Sequence, residues 1–123
     1  MKSYEFYIAG VQFHEAKKVI SQLSVGDTLE LVPEPSNKFD PNAIAIKASF
    51  MSIRPDGSDT REEIMLGYVP KKFSAEVTAF LEVYGTDKVF CDLIEVNPKN
   101  KPWEQLKVHI YNIDNEEETD EVA

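Results

Sequence analysis

Cysteine occurs once, at Cys91. No disulfide can form within the chain, and no cysteine cluster can hold zinc. Histidine is almost as scarce, with only His14 and His109. A mixed His/Cys zinc site would need distant residues to converge, and none is expected. No apolar run approaches the roughly 18 residues of a membrane span. The opening M-K-S-Y-E-F-Y-I-A-G is too short and too acidic for a signal peptide. A cytoplasmic protein is the expectation. Basic residues are outnumbered, 13 Lys and Arg against 22 Asp and Glu, for a formal charge of −9. That is the reverse of a generic nucleic-acid coat, so any anion-binding patch has to be local. The chain also lacks G-x-x-x-x-G-K-[ST], H-E-x-x-H and G-x-S-x-G, which removes the commonest phosphate-binding, zinc-protease and serine-hydrolase readings.

What is present is enough for one core. The chain has 123 residues, 42% of them hydrophobic, which supports a single domain. Residues 114–123 (D-N-E-E-E-T-D-E-V-A) hold six acids and no base, and a disordered acidic tail is expected there. Without them the balance is 16 acids to 13 bases. Residues 1–113 then form the domain.

Tyr4, Phe6 and Ile8 alternate with Glu5, Tyr7 and Ala9, so a first strand is predicted, running on through Gly10 to His14. Ala16, Val19, Ile20 and Leu23 suit a short helix or an apolar loop. Thr28–Val32 and Asn42–Ser49 read as strands two and three. Residues 52–63, with Pro-Asp-Gly and many charges, read as a long hairpin connection. Ile64–Val69 reads as strand four. After Pro70, the residues Phe73, Val77, Phe80, Leu81 and Tyr84 form an amphipathic stripe that Gly85 stops. Val89–Val96 and the alternation of Leu106, Val108 and Ile110 supply strands five and six. Six short strands with one or two helices predict a mostly β fold, a small OB-like or SH3-like barrel closed to leave few open edges.

The centre of the pattern is Leu29 to Ile46, L-E-L-V-P-E-P-S-N-K-F-D-P-N-A-I-A-I, where a strand enters a stiff loop and returns as a strand. Pro33, Pro35 and Pro41 fix their own φ and bias the preceding residues toward extended geometry. Asn37, Asp40 and Asn42 are placed to bond neighbouring amides as Asx turns. Phe39 either plugs into the core or offers a face to a ligand.

This stretch, with Leu66-Gly67-Tyr68-Val69-Pro70-Lys71 later, resembles the HIRAN family, named from the N-terminus of helicase-like, Rad5-type remodellers and found also as stand-alone bacterial proteins. Glu34, Pro35, Asn37, Phe39, Asp40, Asn42, Ala43, Ile44, Gly67 and Tyr68 all fall on the family pattern, and the resemblance covers about residues 4 to 113. It implies a modified OB-type barrel. It also implies a non-catalytic module that grips the 3′ end of single-stranded DNA between aromatic residues, with an Asp reading the 3′-hydroxyl. On that basis Phe39 stands at the stacking position, Asp40 at the hydroxyl acceptor and Asn37 at an amide that contacts the terminal nucleotide. Gln12, Phe13 and His14 align with an Arg-Tyr-Tyr run that holds backbone and base, and Lys71 and Lys72 would flank the groove. No cofactor is implied. A DNA repair or replication setting follows, with a helicase or nuclease acting in trans.

Elementary chemistry sets alternatives beside each assignment. Base stacking on Phe13, Phe39 or Tyr68 is worth roughly 1–3 kcal/mol per base, and Lys17, Lys18, Lys38, Lys71 and Lys72 supply charge. Yet Asp40 also suits a loop cap, Tyr68 a core position, His14 a strand end, and the lysines a solvated face. His14 replaces an aromatic, and Gln12 and Pro33 replace family arginines, a loss of two guanidinium groups that removes electrostatic affinity for DNA. A second reading is therefore a protein-interaction module that keeps the barrel and has lost DNA binding. A third, a metal-dependent nuclease using Asp40, has no spacing that selects it. Cys91, between Phe90 and Asp92, reads as structural.

Overall fold

The computed structural model describes residues 3–113. The acidic tail expected at 114–123 lies outside the described residues.

Six antiparallel strands form one sheet in the order β1-β6-β5-β2-β3-β4. In chain order they are β1 Ser3–Tyr7, β2 Thr28–Pro33, β3 Ile44–Ile53, β4 Asp59–Tyr68, β5 Val89–Val96 and β6 Leu106–Asn112. Two helices interrupt them: a single turn, α1, at Ala16–Val19, and α2 at Lys71–Tyr84. The interior follows the alternation expected of strands with one wet face. Tyr4 and Phe6 of β1, Leu93 of β5, and Leu106, Val108 and Ile110 of β6 are buried. Burial of each such large side chain contributes about 1.5–3 kcal/mol. Cys91 lies among them, fully buried, and burial pushes its thiol upward, away from the reactive thiolate.

The strand ladder does not close into the barrel expected from the sequence. β1 and β4 are its two ends, and they meet only beyond β1, at one antiparallel bridge between Ala9 and Tyr68. Both backbone bonds of that bridge are made, Ala9 N–H to Tyr68 O at 2.8 Å and Tyr68 N–H to Ala9 O at 2.9 Å. Along β1, α2 supplies the apolar cover instead. Phe73 stacks on Phe6 with ring centroids 5.2 Å apart, and Phe80 meets Tyr4 edge-on at 5.5 Å.

The bridge explains Gly67. A Cβ there would lie 2.3 Å from Ala9 O and 2.6 Å from Ile8 Cγ2, so the two ends approach only because the side chain is absent. A register shift in the β3–β4 ladder sits beside it: Ile46 pairs with Gly67 but Lys47 with Met65. Leu66 is the extra residue, a β-bulge that lets Leu66 and Gly67 both be buried and turns Tyr68 to a half-exposed position.

The first strand is shorter than predicted. It ends at Tyr7, and Val11–Phe13 form a 3₁₀ turn rather than a continuing strand. Gly10, at φ 74°, starts that turn in the left-handed region. The segment of Ala16 to Leu23 is the α1 turn followed by a second 3₁₀ turn, Ile20–Gln22. The predicted long connection at 52–63 is instead a tight turn that joins extensions of β3 and β4. Arg54 N–H bonds Ser58 O at 2.7 Å, and Asp56 Oδ1 accepts from the Ser58 N–H (2.9 Å) and hydroxyl (2.6 Å). The acids of this segment thus cap a turn or line an exposed hairpin.

Candidate nucleic-acid interface

The elbow between β2 and β3 is held by its own polar groups. Glu34 N–H bonds Ala43 O across its base at 2.8 Å, and Ala43 N–H bonds Asp40 O at 2.9 Å. Asn37 Oδ1 accepts from two successive amides, Phe39 N–H at 2.8 Å and Asp40 N–H at 3.1 Å. Asp40 Oδ1 accepts from Asn42 N–H at 2.9 Å. These are Asx-type turns, and with three prolines they leave the backbone little freedom.

The elbow throws Phe39 outward. Its ring is 89% exposed, which overturns the buried-plug alternative. Phe13, on the 3₁₀ turn after Gly10, is 78% exposed. Both phenylalanines line the same open groove, of about 550 Å³, between the elbow, that turn, β4 and the start of α2. Exposed apolar side chains occur elsewhere on the described surface, as at Met51, Ile53 and Trp103, but Phe13 and Phe39 converge on one groove.

Asn37, Asp40, His14, Tyr68 and Lys71 line the same groove. Tyr68 stands edge-on to His14, with centroids 5.5 Å apart. The structure thus gathers seven of the nine sequence candidates. Gln12, exposed on the 3₁₀ turn, and Lys72 do not line it; the Lys72 ammonium sits 5.2 Å over Phe73. Of the other lysines, Lys38 is exposed on the elbow, and Lys17 and Lys18 on α1, where Lys18 pairs with Glu15 at 3.5 Å. Lys71 is the one lysine or arginine among the groove's lining residues.

Two polar side chains that sequence reasoning passed over organise the site. Glu34 Oε1 accepts from the Tyr68 hydroxyl at 2.8 Å and from Asn37 Nδ2 at 3.1 Å. One carboxylate thereby ties the elbow to β4, and its bond holds the Tyr68 phenol above its ordinary range. Glu34 was visible only as part of the family pattern. Ser74, at the end of the first turn of α2 and buried, donates from its hydroxyl to Asp40 Oδ2 at 2.7 Å. That bond first, then the Asn42 amide, with the Lys71 charge adding to them, holds the Asp40 carboxyl below the usual carboxylate range. Asp40 is therefore an anion, each of its oxygens already accepting one hydrogen bond and able to accept another. Among the described residues, no group of three or more His, Cys, Asp or Glu comes together to hold a metal ion. No helix among them is long and apolar enough to cross a membrane.

Comparison with known proteins places this architecture. The HIRAN domain of human HLTF resembles the chain with a TM-score of 0.57 and 13% identity, over 88% of this chain and 72% of that one. A Lactobacillus plantarum protein resembles it with a TM-score of 0.63 and 14% identity, over 90% of this chain and 97% of that one. At such identities these likenesses speak for the fold alone. No curated protein matches the chain in sequence. The family profile described as HIRAN domain matches residues 1–112. The chain belongs to the HIRAN domain family.

Proposed function

We propose that the protein is a non-catalytic module that binds single-stranded DNA at its 3′-hydroxyl end. The observation that carries this reading is the pairing of two exposed phenyl rings, Phe13 and Phe39, with an ionised carboxylate in one groove. Bases stack on exposed aromatic faces at roughly 1–3 kcal/mol each, regardless of sequence. A carboxylate is the wrong group for a phosphate but the right one for a hydroxyl: it accepts the terminal 3′-OH and repels a 3′-phosphate. Phe39 and Phe13 supply the faces, Asp40 the acceptor and Lys71 a phosphate contact. Asn37 keeps one amide hydrogen for the terminal nucleotide after its bond to Glu34. Tyr68 and His14, edge-on to each other, line the groove with them. Gln12 and Lys72 do not line the groove and are left to nucleotides further from the end. Such a module would direct a helicase or nuclease carried by another chain to strand ends during DNA repair.

A second reading has its own support. The formal charge of −9 and the single lysine lining the groove suit a protein-interaction module that has lost DNA binding.

Fluorescence anisotropy with short oligo-dT strands ending in 3′-hydroxyl or 3′-phosphate separates the two. The first reading expects a clear preference for the hydroxyl that Asp40→Ala abolishes. Equal and feeble binding to both ends, unchanged by Asp40→Ala, would favour the second.

A further inference from the structure

Helix α2 reaches back to the elbow with two hydroxyls one helical turn apart. Ser74 Oγ donates to Asp40 Oδ2 at 2.7 Å, and Thr78 Oγ1 donates to the Asn42 backbone carbonyl at 2.9 Å. Residues four apart share a helix face, so the pair meets residues 40 and 42 side by side. The two bonds differ in kind. Thr78 holds main chain only. Ser74 holds the carboxylate, is 2% exposed and has a second acceptor, the Lys71 carbonyl at 3.0 Å, to which a helical serine ordinarily bonds. A hydroxyl carries one proton, and the shorter contact, to a charged acceptor, is the stronger.

We propose that Ser74 is a positioning residue for end recognition: by occupying Oδ2 from below, it fixes the rotamer of Asp40 and leaves the outer lone pairs aimed into the groove for a ligand hydroxyl. This rests on the reading of Asp40 as the hydroxyl acceptor. The carboxylate is pinned from two sides, Oδ1 by the Asn42 amide of its own loop and Oδ2 by α2, so its plane is set before ligand arrives. Preorganisation of this kind raises affinity by removing the ordering that binding would otherwise require. The same bond favours the ionised form that an acceptor needs, with Lys71 as the charged neighbour acting on Asp40. Thr78 serves as the internal control: its bond ends at the Asn42 carbonyl, so its loss leaves both hydrogen bonds to the Asp40 carboxylate in place.

The test compares Ser74→Ala and Thr78→Val in the full chain, with Asp40→Ala as reference. Two quantities are read: the ratio of 3′-hydroxyl to 3′-phosphate oligo-dT affinity, and the titration of the Asp40 carboxyl carbon followed by NMR. Ser74→Ala is expected to reduce the end preference about three- to tenfold and to move the Asp40 titration upward. Thr78→Val is expected to leave both unchanged even where it lowers the melting temperature. Ser74→Cys, which keeps volume but weakens the donor, should fall between wild type and Ser74→Ala, and it stands in if the alanine variant misfolds. If Asp40→Ala abolishes the preference while Ser74→Ala leaves ratio and titration alone, the positioning role is wrong and the function stands. If Asp40→Ala itself changes nothing, the function is wrong and the positioning role falls with it.

Discussion

Replacing Phe39 with alanine removes a ring that meets solvent over most of its surface, so the fold should hardly notice. An exposed site away from caps and cores changes stability by about 0.5 kcal/mol or less. Binding is another matter: loss of one stacking face should weaken a single strand by roughly 1–3 kcal/mol. Denaturant melts and anisotropy titrations on Phe39→Ala would measure both, and a large loss of stability would mean that the ring packs inward. Asp40 has a pH signature of its own. Its folded-state carboxyl lies below the ordinary range because Ser74 and the Asn42 amide bond its charged form. A depressed acid adds stability that is fully present above the unfolded value of about 3.9 and is lost as pH falls through the lower folded value. Asp40→Asn should therefore lower the melting temperature at neutral pH, and the gap from wild type should shrink below about pH 4. A gap that is constant with pH would show that the charge contributes nothing.

Among elements, β4 and the elbow depend on close approaches that cannot be relaxed. Gly67→Ala forces a methyl against the Ala9 carbonyl and Ile8, atoms of backbone and core. Overpacking of this kind costs about 1–3 kcal/mol or more, and because the bridge also sets Tyr68, binding should fall with stability; urea melts read the first and anisotropy the second. Glu34→Ala strips the shared acceptor from the Tyr68 hydroxyl and the Asn37 amide. Both groups are half-buried, so a loss of about 1–3 kcal/mol is expected. What the sequence made legible at this scale follows from burial and backbone chemistry. The Pro/Asn/Asp elbow, β5 and the apolar stripe of α2 each carry a local signature that a single residue window contains. The end of β1 did not, because the apolar alternation of Val11 and Phe13 continues past Gly10, where a left-handed φ ends the strand. The outer halves of β3 and β4 carry no strand signature, because apart from Phe50 and Thr60 their residues are exposed and leave no periodicity to detect. Ser74 left no trace either: its partner is 34 residues away, and a serine in a helix is silent until the helix phase against the elbow is known.

For the whole molecule, fold class and family were readable from residue order, whereas closure was not. Six strands predict a barrel, but only the placement of Ala9 against Tyr68 shows that the ends touch at one point. Electrostatics sets the remaining expectation. The chain carries −9, and its groove presents one lysine. If Lys71 alone meets a phosphate, the logarithm of affinity should fall with the logarithm of salt at a slope of about −0.7, and Lys71→Ala should flatten it. A slope several times steeper would place DNA on another, more basic surface.

A strand end lodged between Phe13 and Phe39 against Asp40 would disturb the amides that surround it. Backbone-amide NMR shifts, recorded as a 3′-hydroxyl oligo-dT strand is added, read that disturbance residue by residue. The perturbed amides should cluster at Gly10–His14, Asn37–Ala43 and Tyr68–Lys71. Shifts confined to β5 and β6, where Tyr111 stacks on Phe90 and His109, or none at saturating strand, would rule out binding in the groove.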